Sequence, residues 1–246
     1  MRTKRLALAI GGLALAAQLA YTFIGFHIYF PVLGADVARI VTLFAPNDLA
    51  LYRSYLPAGI EMPDEPMVKV DFVEVTPTWH EAFVSLRVRY QGETGWYGVT
   101  WPIDSLVPYA LGYWVGYPKF MTEHMRWRKT EKGYSGAVRR DDQPLLRLEF
   151  VADSRPATPL DATILDDSAA YFNLMPPLRG PQINKLSNVV LSSSEVDDTH
   201  GLVHITVNPK EPWARLITDG TERTTPGYML AQTGHRFGFL IADKVN

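Results

Sequence analysis

Two neighbouring segments of this 246-residue chain alternate apolar and polar side chains with a period of two, and this constrains the fold more than any other feature. In Met67–Val75, Val68, Val70 and Phe72 fall on one side, with Lys69 and Asp71 on the other. In Glu81–Tyr90, Ala82, Val84, Leu86, Val88 and Tyr90 alternate with Glu81, Phe83, Ser85, Arg87 and Arg89. Successive side chains of a strand point to opposite faces, so both segments read as strands with two unlike faces. Gln91-Gly-Glu-Thr-Gly95 is a glycine-bearing hairpin loop leading into Trp96–Trp101. The turn Arg140-Asp-Asp-Gln143 separates strands over Tyr134–Arg139 and Leu145–Val151. Further strands are expected at Asn188–Ser193, Leu202–Val207, Trp213–Thr218 and Arg236–Ala242. Asn47–Asp48 supplies a cap for a short helix stopped by Pro57, and Asp104 caps another reaching about Trp114. Residues 153–183 are rich in proline and aspartate and show little periodicity. Long helical periodicity is absent, which argues against an all-α fold; the class is mainly β (α+β).

The N-terminus is a different material. Arg2, Lys4 and Arg5 precede a stretch from Leu6 to Leu33 that holds no formally charged side chain. About 20 helical residues cross a bilayer core, and Leu6–Phe26 is long enough. A cut after Ala20 would place Gln18 three residues before it, a poor cleavage site, and apolar chain continues well past Ala16 and Ala17. An uncleaved signal anchor is therefore favoured over a cleaved peptide. The positive-inside rule then keeps the N-terminus cytoplasmic and places the domain outside, in the periplasm if the source is bacterial. The organisation expected is a membrane segment over 1–33 followed by one domain over 34–246.

Composition narrows the chemistry. Hydrophobic residues make up 47% and charged residues 20%, so a chain of this length buries a sizeable core. A formal net charge of −2 gives no basic excess for nucleic acid. The absence of cysteine excludes disulfides, thiolate catalysis and cysteine metal sites. No Ser-His-Asp arrangement, phosphate loop or zinc signature occurs. His200 and His204 lie in a strand-like segment, about 13 Å apart at four residue rises, too far to share a metal. The mixed charges of Glu123–Lys129 read as the solvated face of a strand.

Lys119 stands out by its surroundings. It is the one charge in Leu111-Gly-Tyr-Trp-Val-Gly-Tyr-Pro-Lys-Phe-Met121. Lysines ordinarily reach water, and apolar neighbours disfavour the ammonium form. A neutral amine attacks a ketone carbonyl, and the protonated imine that results is an electron sink for carbon–carbon cleavage. Glu81 and Asp71 are strand-face carboxylates that would orient substrate or carry protons if they point into a cavity, and would do nothing if they point to solvent.

The run Trp79-His-Glu81, Tyr90-Gln-Gly92, Gly95-Trp-Tyr97, Asp104, Gly112 and Tyr117-Pro-Lys119 resembles the acetoacetate decarboxylase family, which has a glutamate, a hairpin, an acidic helix start, a glycine and Tyr-Pro-Lys-Lys in that order. Asp64-Glu-Pro-Met-Val-Lys-Val-Asp71 and Trp213-Ala-Arg-Leu216 are similar to its flanking parts. The resemblance implies an antiparallel β-cone or barrel, Lys119 as Schiff-base lysine, Glu81 and Asp71 as site carboxylates, and Arg39 as the substrate-binding arginine. Tyr117, Phe120 and Tyr113 are further substrate-binding candidates. No cofactor is required, because the lysine is the electron sink. The ligand would be a small oxo-acid, and homo-oligomers are common in the family. Two features depart from the pattern: Phe120 stands where the second lysine would be, and Gly112-Tyr-Trp replaces Gly-Arg-Glu. Acetoacetate decarboxylase is itself a standard example of a lysine activated by desolvation or a neighbouring cation. Phe120 removes the cation and adds apolar bulk. The other reading is a binding module of the same fold, its cone holding a small apolar ligand, with Phe120, Tyr113 and Trp114 in its favour.

Overall fold

A computed structural model describes residues 29–31, 35–76, 79–114, 116–141, 143–153, 170–174, 183–192 and 195–244. The expected membrane segment lies outside these residues, except that Tyr29–Pro31 forms strand β1. Among the described residues no helix is long and apolar enough to cross a membrane.

The fold is a curled, mainly antiparallel sheet. After β1 come β2 (Ala35–Phe44), β3 (Val68–Thr76), β4 (Trp79–Tyr90), β5 (Glu93–Ile103), β6 (Lys119–Met121) and β7 (His124–Lys129). The remaining strands are β8 (Gly133–Arg140), β9 (Gln143–Ala152), β10 (Ala170–Leu174), β11 (Ile183–Ser192), β12 (Glu195–Val207) and β13 (Glu222–Lys244). Their order is β11-β10-β5-β4-β3-β2-β13-β12-β9-β8-β7, with β1 on β13 and β6 on β5. β11 pairs with both β10 and β13, so the sheet curls back toward its own start. Two pairings, β10 with β5 and β6 with β5, are parallel.

The alternation read from the sequence sorts the core into two clusters on opposite faces of the sheet. Val68, Val70, Phe72, Ala82, Val84 and Leu86 belong to the larger cluster. Val73, Val75 and Phe83 belong to the smaller one, together with Val41, Trp96, Trp101, Tyr117 and Tyr171. The β4–β5 turn carries positive φ at Gln91 (50°) and Gly92 (82°), the pairing that matches strand twist in a two-residue hairpin.

Three expectations change. Asp48 caps α1 (Leu49–Tyr55) by accepting the Leu51 N–H, as read, but Asp104 does not cap α2 (Leu106–Trp114). Its carboxylate instead accepts the His80 backbone N–H at 2.7 Å and contacts His80 Nδ1 at 2.6 Å, which ties the end of β5 to the start of β4. Trp213–Thr218, read as a strand, contains the one-turn helix α3 (Ala214–Ile217). Four residues are too few for periodicity to distinguish a helix from a strand, and burial of Trp213, Ala214, Leu216 and Ile217 decides the outcome. Ala170–Leu174, in the stretch without periodicity, is a strand whose Tyr171 and Phe172 are buried on opposite sides.

Candidate active site

The smaller cluster surrounds a strip of charged side chains. Lys119 sits on β6, in parallel register with Trp101 of β5, while Glu81 sits on β4 opposite Ile103. The two residues are therefore separated by the whole of β5, about 10 Å across. Only two long side chains bridge that gap, and they do: Lys119 Nζ donates to Glu81 Oε2 at 3.0 Å, with the side chains 6% and 15% exposed. The ammonium also lies 5.2 Å from the Trp101 ring centre and 5.9 Å from that of Tyr117.

Local backbone geometry sets the lysine. Gly116 turns the chain at φ 94°, and the Tyr117 N–H donates to Gly112 O at 3.0 Å. Pro118 packs on Gly98, where an added Cβ would come within 2.9 Å of the proline ring. Gly112 matters most: a Cβ there would meet Lys119 Cε at 2.4 Å and Nζ at 3.0 Å. The helix backbone thus lies directly against the lysine side chain and closes it from solvent. Tyr117 is buried and T-stacked on Trp101 at 4.0 Å. Burial, and secondly the Glu81 charge, push its phenol pKa far up, so it stays neutral and able to donate a hydrogen bond.

Asp71 and Arg39 also pair. Arg39 donates from Nε at 3.1 Å and from Nη2 at 2.6 Å to the two Asp71 oxygens, and Asp71 is fully buried. Asp71 faces Phe83 across the ladder and Glu81 faces Val73, so Glu81 is the diagonal neighbour of Asp71 on one face. Arg39–Asp71 and Lys119–Glu81 are thus two ion pairs on one face of the sheet, with their carboxylates as diagonal neighbours.

The other sequence candidates fall elsewhere. Phe120 follows Lys119 in a strand, so it points to the opposite face, packs on the larger cluster and lies under the Arg140 guanidinium at 4.3 Å. Period-two geometry would send a lysine at 120 the same way, away from Lys119. Tyr113 is 50% exposed on the outside of α2, stacked on Tyr109 at 5.9 Å. His80 faces away from Glu81, toward an open cleft of about 350 Å³ that Lys119 does not line. The His80 pKa is raised, chiefly by its hydrogen bond to Asp104, against the opposing effect of burial. Among the described residues no group of three metal-ligating side chains gathers.

Sequence reasoning missed Lys69. It is 5% exposed, with its ammonium 4.4 Å from the Trp96 ring centre and 5.0 Å from that of Tyr171. Its alternation with Asp71 placed it on the site face, but only the three-dimensional arrangement of aromatics shows it buried there.

A curled β-sheet carrying a buried lysine–glutamate pair over aromatic rings defines a class of protein, and comparison gives the family. Residues 26–225 match the family model for acetoacetate decarboxylase (ADC), and the chain belongs to that family. No curated protein matches the sequence. Among solved structures, acetoacetate decarboxylase from Legionella pneumophila superposes with a TM-score of 0.63 at 18% identity, covering 89% of this chain and 88% of that one. The enduracididine biosynthesis enzyme MppR, complexed with pyruvate, gives 0.60 at 15% identity, covering 89% and 91%. An acetoacetate decarboxylase-like enzyme from Sphingomonas wittichii RW1 gives 0.59 at 19% identity, covering 87% and 91%. At such identities these likenesses show the fold.

Proposed function

We propose that the protein is a Schiff-base-forming lyase acting on a small oxo-acid, with Lys119 as nucleophile. The observation that carries this reading is the buried Lys119–Glu81 contact at 3.0 Å, enclosed by Trp101, Tyr117 and the Gly112 backbone. Glu81 is the proton acceptor next to the amine. Once it takes a proton, the amine adds to the substrate carbonyl, and water leaves to give an iminium. With a 3-oxo acid, the bond to the carboxylate breaks, its electron pair moves to the iminium nitrogen, and carbon dioxide departs. Glu81, having given the first proton to the departing water, takes a second from solvent and passes it to the enamine carbon, and hydrolysis of the resulting iminium frees the ketone and the lysine. A fragment other than carbon dioxide leaves by the same electron flow. The ligand in the MppR structure, pyruvate, supports a small oxo-acid as the substrate class. Asp71 holds Arg39 in place on the same face of the sheet, where the arginine can meet a carboxylate.

The binding-module reading has less support. Of the three aromatics that favoured it, Phe120 turns into the larger cluster and Tyr113 is half exposed on the outer surface. Incubating the protein with a panel of 2- and 3-oxo acids, while following substrate loss and carbon dioxide, separates the two. Turnover abolished by Lys119→Ala supports the lyase. Binding without turnover, retained in Lys119→Ala, supports the module.

A further inference from the structure

Four of the five large apolar side chains exposed among the described residues lie on the helix packed against Lys119 and on its own strand: Leu106 (62%), Val107 (57%) and Tyr113 (50%) on α2, and Met121 (39%) on β6. No charged residue occurs from Ser105 to Pro118. Leu106, Tyr109 and Tyr113 recur at helical spacing, so they share one face, while Gly112 presents another face to Lys119. A surface helix that is apolar on its outer side marks a contact surface.

The sheet register locates this surface. Asp36 pairs with Thr76, Val75 with Trp79 and Glu81 with Ile103, so the start of β2, the β3–β4 turn and the start of α2 share one end of the sheet. β13 runs out past that end, pairing His235 with Ala35 and then Gly238–Leu240 with β1, and a register shift after Gln232 bends it. The chain therefore enters the described fold at Tyr29, beyond the end where α2 is exposed. Ahead of Tyr29 lies the charge-free run from Leu6, long enough to cross a bilayer.

We propose that the outer face of α2 docks on the lipid bilayer in which the N-terminal segment anchors, with Leu106, Val107 and Tyr113 entering the interface. This rests on that segment being a membrane anchor, and not on the lyase reading. Tyrosine, apolar with a polar tip, suits the headgroup level. Asp36, Glu74 and Asp104 lie at this end of the sheet and no Lys or Arg lies within α2, so apolar burial drives the contact and anionic lipid is not required.

The chain has no cysteine, so a single introduced cysteine is a unique label site. Full-length Leu106→Cys and Val107→Cys would each be labelled with an environment-sensitive fluorophore and reconstituted in phosphatidylcholine vesicles containing nitroxide-bearing lipid. Gly12→Cys reports the anchor, and Glu131→Cys, on the exposed β7–β8 turn, reports the solvent. Docking predicts a blue shift and at least twofold stronger lipid quenching at 106 and 107 than at 131, with 12 quenched. Quenching at 12 alone would overturn the docking and keep the anchor. Quenching at neither would overturn both. Burial at 106 and 107 without lipid quenching, rising with protein density, would assign the surface to a second copy of the chain and also overturn the proposal.

Discussion

Replacing Gly112 with alanine separates the placement of the lysine from the stability of the fold. The added Cβ would lie 2.4 Å from Lys119 Cε, whereas ordinary contact begins at 3.4 Å, so the lysine must move by the difference, 1.0 Å. The lysine tip is flexible and can give way, so the substitution does not wreck the fold. Alanine is also favoured over glycine within a helix by about 1 kcal/mol. Stability should therefore stay within about 1 kcal/mol of the parent. The 3.0 Å contact to Glu81 has no such tolerance, because moving Nζ by this much carries it out of hydrogen-bond range. Misplacing a reacting group by about 1 Å slows chemistry on the order of 100-fold. The assay is the rate of borohydride-trapped adduct with pyruvate, run beside a thermal melt. A Gly112→Ala protein that melts like the parent but traps at least tenfold more slowly supports the placement argument. Trapping within threefold of the parental rate would refute it.

Other perturbations probe the surroundings. Asp71→Asn takes the bidentate carboxylate from the nearly buried Arg39 guanidinium and should destabilise by about 3–5 kcal/mol in denaturant unfolding; a change under about 1 kcal/mol would show that Arg39 finds its charge balance elsewhere. Phe120→Lys restores the family's second lysine, but on the face turned from Lys119 and beside Arg140, so the pH profile of trapping should not move while stability falls; a shifted profile would mean that residue 120 reaches the amine. His80 has a folded pKa above its unfolded value of about 6.5. Its contribution is thus complete below about 6.5 and fades as pH rises through the folded value. The stability gap between parent and His80→Asn should shrink from pH 5.5 to 8.5, and a gap that widens contradicts the Asp104 contact as its source.

Much of the architecture was legible because most strands have two unlike faces. Val68, Val70 and Phe72 alternate with Lys69 and Asp71: the first set joined the larger core cluster, and the second lies on the opposite face, which carries the smaller one. Lys119 could be singled out because a lone charge among aromatics is improbable on a solvated face. What escaped detection depends on contacts distant in sequence. Asp104 looks like a helix cap locally, yet its partner, His80, lies 24 residues earlier. Tyr171 sits in a segment without periodicity, and only pairing of β10 with β5 brings it to Lys69. The meaning of Phe120 also reversed, since adjacency in a strand separates side chains onto opposite faces. Its loss of charge looked like a change to the pocket; in the fold it belongs to the other cluster.

The most direct test of the account is to trap the imine itself. Full-length protein would be incubated with pyruvate and other small oxo-acids, reduced with borohydride, and mapped by mass spectrometry. A reduced adduct is expected on Lys119 alone, missing from Lys119→Ala and slowed in Glu81→Gln. An adduct on Lys69 instead would move the nucleophile to that buried lysine, and no adduct from a folded protein with any oxo-acid would contradict Schiff-base chemistry altogether.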